Sequence, residues 1–394
     1  MNRLLIIADD FTGALDTGVQ FSRKDIPTIV VSLETPLEDI AEDYSVVVLD
    51  SESRHLKAEE AFGIIKRVAC RASEQGFTHL YKKTDSALRG NIGAELGALA
   101  TAMGRCLHFI PALPTSNRIT RDGVQYIDGV PVAESIFGKD PFNPVTESRI
   151  EDIIRQESDI PVYSNTEHTK APSIVIHDAV SLSDMVSIAE DLGDNGLKVT
   201  AGCAGFACVL ADALNFRKVR KQHLLSGEFL LVICGSINNI SKNQLRIAES
   251  KGYRIVSIPQ DTLLKGEAFN IYASIDKSSL DKDCLVFKVS LDDNPGLSLS
   301  YKGEGEEIAD ALGKLANDIY SSDFNGTLFC IGGDTLHAIA DNMKMKCFIP
   351  QEELFPGVVS ARMIGSDGEI NIITKSGGLG DEDIINLIYT MMRQ

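Results

Sequence analysis

Two adjacent aspartates, Asp9 and Asp10, directly follow the apolar run Leu4–Ala8 and lead into Phe11-Thr12-Gly13-Ala14-Leu15-Asp16. Carboxylates at a strand end, beside the start of a helix, can hold or deprotonate a hydroxyl. One of them can equally cap the helix, and capping accounts for one carboxylate but not readily for both. A second group, Lys82-Lys83-Thr84-Asp85-Ser86-Ala87-Leu88-Arg89-Gly90-Asn91, places cations, a carboxylate and hydroxyls on one short stretch after the run His79–Tyr81. That mixture suits a polyhydroxy acid. Lys and Arg can pair with its carboxylate while Asp85 and Ser86 fix hydroxyl positions, each charge-assisted bond contributing ~1.5–3 kcal/mol. Taken alone, the same residues also read as a solvated loop. Arg54 follows the run Val46–Leu49, where open α/β sheets put ligand-binding loops, and is a candidate carboxylate clamp. Arg118 and Arg121 could add positive field and rank behind it.

Three further segments carry glycine-rich turns after apolar runs: Phe229–Cys234 into Gly235-Ser236, Thr327–Ile331 into Gly332-Gly333-Asp334-Thr335, and Ile370–Thr374 into Lys375-Ser376-Gly377-Gly378-Leu379-Gly380. A helix starting after such a turn presents unpaired N–H groups and the positive end of its dipole, which favours phosphate. One glycine turn can be purely steric, but three in one half of the chain point to a nucleotide cradle. Neither GxxxxGK[ST] nor GxGxxG occurs, so Walker-type ATPases and dinucleotide-dependent dehydrogenases are not supported. The seven histidines lack metal-ligand spacing, and Ser or Cys nucleophile signatures are absent. His55 and His337 adjoin the loops of interest and read as surface or supporting residues.

The elements that must position these groups alternate. Leu4–Ala8, Val46–Leu49, His79–Tyr81, Leu107–Ile110, Ser173–Ile176 and Lys198–Ala201 read as buried strands, and Asn91–Met103 carries Ile92, Leu96, Leu99 and Met103 on one helical face. Such alternation implies parallel α/β architecture. A length of 394 residues suggests two domains. The basic stretch around Arg217, Lys218, Arg220 and Lys221, ending at Ser226-Gly227, sets the expected boundaries: 1–216, a linker over 217–227, and 228–394. Ser298–Glu307 reads as a flexible loop. Apolar residues at 44% and charged residues at 24% fit a globular chain, and a net charge of −18 argues against nucleic-acid or anionic-membrane partners. The eight cysteines show no CxxC spacing and read as reduced thiols. The short N-terminal apolar run, broken by Asp9 and Asp10, does not fit a signal peptide, and no run approaches a membrane span, so a cytoplasmic location is expected.

Together the motifs resemble those of the four-carbon acid sugar kinases: an N-terminal ADDFTGALD, a central KxDSxLRGN, and late GGDT and KSGGxG elements, all in order between Ala8 and Gly380. The resemblance implies two α/β domains with mainly parallel sheets, a substrate domain followed by a nucleotide domain, and a ligand cleft between them. It implies ATP-dependent 4-phosphorylation of D-threonate, D-erythronate or 3-oxo-tetronate in sugar-acid catabolism. Asp10, Arg54, Lys83, Asp85 and Ser86 would contact substrate, with Thr84 and Arg89 from the same loop. Ser236, Gly332, Gly333, Asp334, Thr335 and Gly377 would contact ATP. Asp10, Lys83 and Asp85 are the expected catalytic residues, and Mg²⁺ should bridge the phosphates, Asp334 being a candidate ligand. Ala87, Cys203, Ala204 and Leu379 depart from the family pattern, and the hydroxyls lost at the first three bear on substrate choice. The competing readings are a noncatalytic sensor of nucleotide and sugar acid, and a sugar-acid phosphate lyase or isomerase. The expected partners are small molecules, with a homo-oligomer left open.

Overall fold

Runs of four to six apolar residues bounded by polar turns form strands buried on both faces, the pattern of parallel sheets covered by helices. The computed structural model describes residues 1–140, 143–164, 169–219, 229–276, 282–290, 302–322, 324, 326–366 and 368–393. The chain divides into two units, Met1–Lys221 and Gln222–Gln394.

In the first unit the principal strands are β1 (Leu4–Ala8), β2 (Thr28–Ser32), β3 (Val46–Asp50), β4 (His79–Lys83) and β5 (Cys106–Ile110), with β9 (Val162–Tyr163), β10 (Ser173–Ile176) and β11 (Val199–Gly202) later in the chain. They pair in parallel in the order β2-β3-β1-β4-β11-β5-β10-β9. The helices are α1 (Phe11–Ser22), α2 (Ala58–Glu74), α3 (Ile92–Met103), α4 (Ile150–Arg155), α5 (Leu182–Gly196) and α6 (Ala204–Ala213). Between β5 and β9 the chain leaves this layered pattern and builds a small antiparallel sheet, β6 (Arg118–Arg121), β7 (Val124–Ile127) and β8 (Val130–Pro131). From β1 the chain crosses to one side of the sheet, and from β4 to the other. The crevice between their carboxyl ends is therefore a topological switch point, the usual ligand position in such sheets.

The second unit repeats the logic. Strands β12 (Phe229–Cys234), β13 (Arg254–Pro259), β14 (Cys284–Ser290), β15 (Gly326–Ile331), β16 (Met345–Phe355), β17 (Val358–Gly365) and β18 (Gly368–Lys375) run β13-β14-β12-β15-β18-β17-β16. The first five are parallel, and β18, β17 and β16 form an antiparallel meander. The helices are α7 (Asn239–Ser250), α8 (Gln260–Leu264), α9 (Ala268–Ser274), α10 (Lys302–Tyr320), α11 (Gly333–Asn342) and α12 (Ile384–Met392). One core gathers Leu230, Val232, Val286, Phe329, Ile373 and Ile388. Among the described residues, no helix is long and apolar enough to cross a membrane.

Two expectations need correction. Residues 302–307, read as part of a flexible loop, begin α10, whose buried residues Ile308, Ala309, Leu312, Leu315, Ala316 and Ile319 give it one continuous apolar face. Residues 298–301 lie outside the described residues. The third glycine turn does not open a helix directly, since Ser376–Gly380 is an irregular loop and α12 begins only at Ile384. Of the expected linker, residues 220–227 lie outside the described residues. Its start is tied to the first unit, with the Val219 N–H donating to the Asp25 carbonyl at 2.7 Å and Arg217 pairing with Asp43 at 3.0 Å.

Candidate active site

Asp10 is the N-cap of α1: its Oδ1 accepts from the Gly13 N–H at 3.2 Å and from Arg54 Nη2 at 2.7 Å. Its Oδ2 has no hydrogen-bond partner among the described residues, and the side chain is 28% exposed. Asp9 does different work. Its carboxyl is buried, Oδ2 accepts from Arg54 Nε at 2.7 Å, and Oδ1 has no partner among the described residues. Burial pushes Asp9 toward the neutral acid, but Arg54, Lys82 and Lys83 outweigh it and hold the carboxyl below the usual carboxylate range. Arg54 thus grips both aspartates and lies 3.9 Å from Asp85 Oδ1, leaving Nη1 without a partner among the described residues. The Arg54 stem has room because Gly90 (φ 86°), in the left-handed region, packs against it: a Cβ there would lie 3.0 Å from Arg54 Cγ and 3.5 Å from its backbone.

Adjacent lysines at the end of β4 point to opposite faces, as strand geometry requires. Lys82 is fully buried, pairs with the buried Glu95 of α3 at 2.9 Å and donates to the Lys83 carbonyl at 2.7 Å. Ser53 donates to the other oxygen of Glu95, and Ser51 ties this network to the Ala8 carbonyl at 2.6 Å. Lys83 is only 5% exposed yet has neither a hydrogen bond nor an ion-pair partner within 4.0 Å among the described residues. Its Nζ lies 2.6 Å from where a Cβ on Gly13 would stand, with Asp10 Oδ1 closer still. Burial favours the neutral amine, but Asp9, Asp10 and Asp85 together raise its pKa, so the group is an ammonium.

Beyond β4 the loop turns back on itself. Arg89 forks onto Asp85 with two bonds of 3.0 Å and reaches Asp140 at 3.2 Å. Burial pushes Asp85 up, but Arg89 and Arg54 overcome it and hold the carboxyl far below the ordinary range. From β6 Arg118 donates to the Ser86 hydroxyl, and no carboxylate lies within 4.0 Å of its guanidinium among the described residues. Phe137 lies beneath both Arg89 and Arg118, whose guanidinium carbons are 5.2 and 5.3 Å from the ring centre.

In the second unit the three glycine turns meet at the carboxyl ends of the neighbouring strands β12, β15 and β18. Gly332, with φ 126°, opens α11 and donates its N–H to the Lys375 carbonyl at 3.0 Å. A Cβ on Gly235 would collide with the Thr335 hydroxyl, and one on Gly377 with the Ser236 hydroxyl. From α7, Ser241 donates to the Gly377 carbonyl at 2.7 Å, and Gln244 donates to the carbonyls of Leu379, Gly380 and Asp381 at 2.9 to 3.2 Å, fixing the third loop. Asp334 is exposed in the first turn of α11, without a partner among the described residues.

The first unit matches a sequence family described as a sugar-binding N-terminal domain over residues 4–210, and the second a nucleotide-binding C-terminal domain over 231–385. The whole chain is 28% identical to a D-threonate kinase of Salmonella typhimurium, covering 98% of both proteins. It is also 28% identical to a D-erythronate kinase of Heliobacterium modesticaldum, covering 97% of this chain and 95% of that one. The chain belongs to the four-carbon acid sugar kinase family. It is therefore a carbohydrate kinase, a phosphotransferase whose C-terminal domain takes a nucleotide. A solved structure described as a putative tRNA synthase from Salmonella typhimurium LT2 shares the fold, with a TM-score of 0.80 at 20% identity over 98% of this chain and 99% of that one.

Within this kinase, Asp10, Arg54, Lys83, Asp85, Ser86 and Arg89 gather at the β1/β4 crevice, while Ser236, Gly332, Gly333, Asp334, Thr335 and Gly377 gather in the second unit. Thr84 departs from expectation: its hydroxyl is sealed from solvent without a partner among the described residues, and its N–H extends the β4–β11 ladder to the Gly202 carbonyl at 2.8 Å. Arg121 is exposed at its hairpin, His55 contacts Asn143 at 3.0 Å and His337 pairs with Asp341 at 3.2 Å. Sequence reasoning missed the pairing of Asp9 with Arg54, the Lys82–Glu95 support and the contribution of Asp140. The one available signal was the doubling of Asp9-Asp10 and Lys82-Lys83, in which one member turns inward and the other faces the site.

Proposed function

We propose that this kinase transfers the γ-phosphoryl group of ATP to the terminal hydroxyl of a four-carbon sugar acid of the D-threonate, D-erythronate or 3-oxo-tetronate class. The observation that carries this reading is a free carboxylate oxygen, Asp10 Oδ2, beside a buried ammonium, Lys83, that has no carboxylate within 4.0 Å among the described residues. The first can accept the proton of a hydroxyl, and the second calls for an anion. Lys83 and Arg118, the cations without carboxylate partners in this cluster, take the substrate carboxylate, with Arg54 contributing Nη1. Arg54 also fixes the rotamer of Asp10, while Asp85, engaged by Arg89, holds the loop that presents Ser86.

Phosphoryl transfer depends chiefly on alignment and charge stabilisation, and a pre-set Asp10 with a buried ammonium supplies both. The three glycine turns offer backbone N–H groups to the phosphates of ATP, and Ser236 and Thr335 add hydroxyls. Asp334 fits a Mg²⁺ site, being an unengaged carboxylate at the phosphate turn, since Mg²⁺ commonly takes one or two carboxylates and otherwise water. Bound there, the ion would neutralise phosphate charge.

The test is ATP-dependent phosphorylation across D- and L-threonate, D- and L-erythronate and 3-oxo-tetronates, with the product located by phosphorus NMR. Asp10→Asn should lower kcat at least about a hundredfold, the usual contribution of a positioned base, without loss of folding. Wild-type turnover by that variant removes Asp10 from the chemistry, and inactivity of the wild type on the whole panel refutes the substrate class.

A further inference from the structure

Strand β18 ends on Lys375, whose side chain is almost completely buried at 2% exposure. Among the described residues its Nζ makes one hydrogen bond, to the Ser376 carbonyl at 2.9 Å. In the first unit Lys82 folds back in the same manner, onto the carbonyl of the residue that follows it, but there Glu95 supplies a counter-charge at 2.9 Å. Among the described residues no carboxylate lies within 4.0 Å of Lys375. A buried ammonium without a counter-ion is costly, so its retention is not explained by the stability of the unliganded fold.

The surroundings indicate what completes it. The aliphatic stem lies against the third glycine loop, where a Cβ on Gly380 would stand 3.6 Å from Lys375 Cδ. The backbone of Lys375 accepts the N–H of Gly332, tying it to the second glycine turn. The titratable groups facing the ammonium are Cys234 from β12 and Cys330 from β15, both kept as neutral thiols by burial. Helix α7 offers this loop the amide of Gln244, while the Thr335 hydroxyl of α11 lies at the first two turns and the Asp334 carboxylate is exposed to solvent. The ammonium thus meets one carbonyl and two neutral thiols, at the strand end where the second and third glycine turns are tied together.

We infer that Lys375 is a phosphate-binding residue, its ammonium meeting the phosphate oxygens of the nucleotide that settle on the three glycine turns. This rests on the reading of the second unit as the nucleotide site. No bond is made or broken at Lys375, which supplies charge only. Burial draws the amine down to about 8 in the free protein, so it is largely protonated at neutral pH. A bound phosphate restores its proton affinity, and nucleotide binding and protonation of Lys375 must then favour each other.

The test is calorimetric titration of the full-length protein with Mg²⁺-ADP and a non-hydrolysable ATP analogue, at pH 7 to 9.5 and in buffers of different ionisation enthalpy. Wild-type affinity should fall about tenfold per pH unit above pH 8, with proton uptake on binding near pH 8. Lys375→Met should weaken binding about ten- to a hundredfold at pH 7, as loss of one charge-assisted bond implies, and abolish the pH slope. Lys375→Arg should retain most of the affinity and lose the slope, which a merely structural role would not produce. Equal affinity in wild type and Lys375→Met, or binding by wild type without proton uptake, overturns the assignment. The wild-type measurement stands even if a variant fails to fold. Failure of the wild type to bind any adenine or guanine nucleotide instead removes the nucleotide reading of the unit, and this inference with it.

Discussion

Replacing Gly13 with alanine probes the proposed chemistry without touching a chemical group. Gly13 lies in the first turn of α1, and an added Cβ would stand 2.6 Å from Lys83 Nζ and closer to Asp10 Oδ1. To reach an ordinary contact of 3.4 Å the ammonium must retreat by about 0.8 Å and the carboxylate by more. Misplacement on the order of 1 Å costs about a hundredfold in rate. Stability should fall only modestly, because strain on the Asp10 cap and its Arg54 pair, ~0.5–2 kcal/mol, is partly offset by the ~0.5–1 kcal/mol that alanine gains over glycine inside a helix. The control is Gly63→Ala in α2, where the new Cβ meets only Arg67 Nη1, at 3.7 Å. ADP release at saturating and limiting sugar acid, with thermal melting of the same samples, separates the two effects. We expect Gly13→Ala to lose about a hundredfold in kcat/KM for the sugar acid with an unchanged KM for nucleotide, and Gly63→Ala to match wild type. A Gly13→Ala enzyme within about threefold of wild type would refute the placement of Asp10 and Lys83 at the reacting groups.

Two other outcomes follow from buried geometry. Lys82→Met should cost ~3–5 kcal/mol in urea unfolding by orphaning Glu95, and most of that should return in the Lys82→Met, Glu95→Leu double variant. Gly377→Ala, whose Cβ would collide with Ser236 Oγ, should raise the nucleotide KM about tenfold or more and leave the sugar-acid KM unaltered, as initial-rate kinetics would show.

The central strands were legible because burial on both faces forces continuous apolar runs: Leu4–Ala8 and Ser173–Ile176 coincide with β1 and β10. The small antiparallel sheet was not, because Arg118–Arg121 and Val124–Ile127 are four-residue, partly exposed strands whose composition resembles a loop. Candidate site positions were legible where turn chemistry marks a strand end, as at Asp10 and Gly332. Pairings were not: Arg54 and Asp9 are 45 positions apart, and no periodicity links them. Nor could the sequence distinguish the paired Lys82 from the unpaired Lys83, since only the alternation of the folded strand and the position of Glu95 separate their environments.

The excursion between β5 and β9 touches the β4 loop through Arg118 on Ser86, Asp140 on Arg89 and the ring of Phe137 beneath both guanidiniums. Asp10 and Lys83, at the ends of β1 and β4, make none of these contacts themselves. On the proposed reading, divergence within the excursion would retune which acid is accepted while the residues proposed for transfer stay unchanged, and grafting residues 114–140 between relatives of different preference should exchange selectivity while preserving turnover.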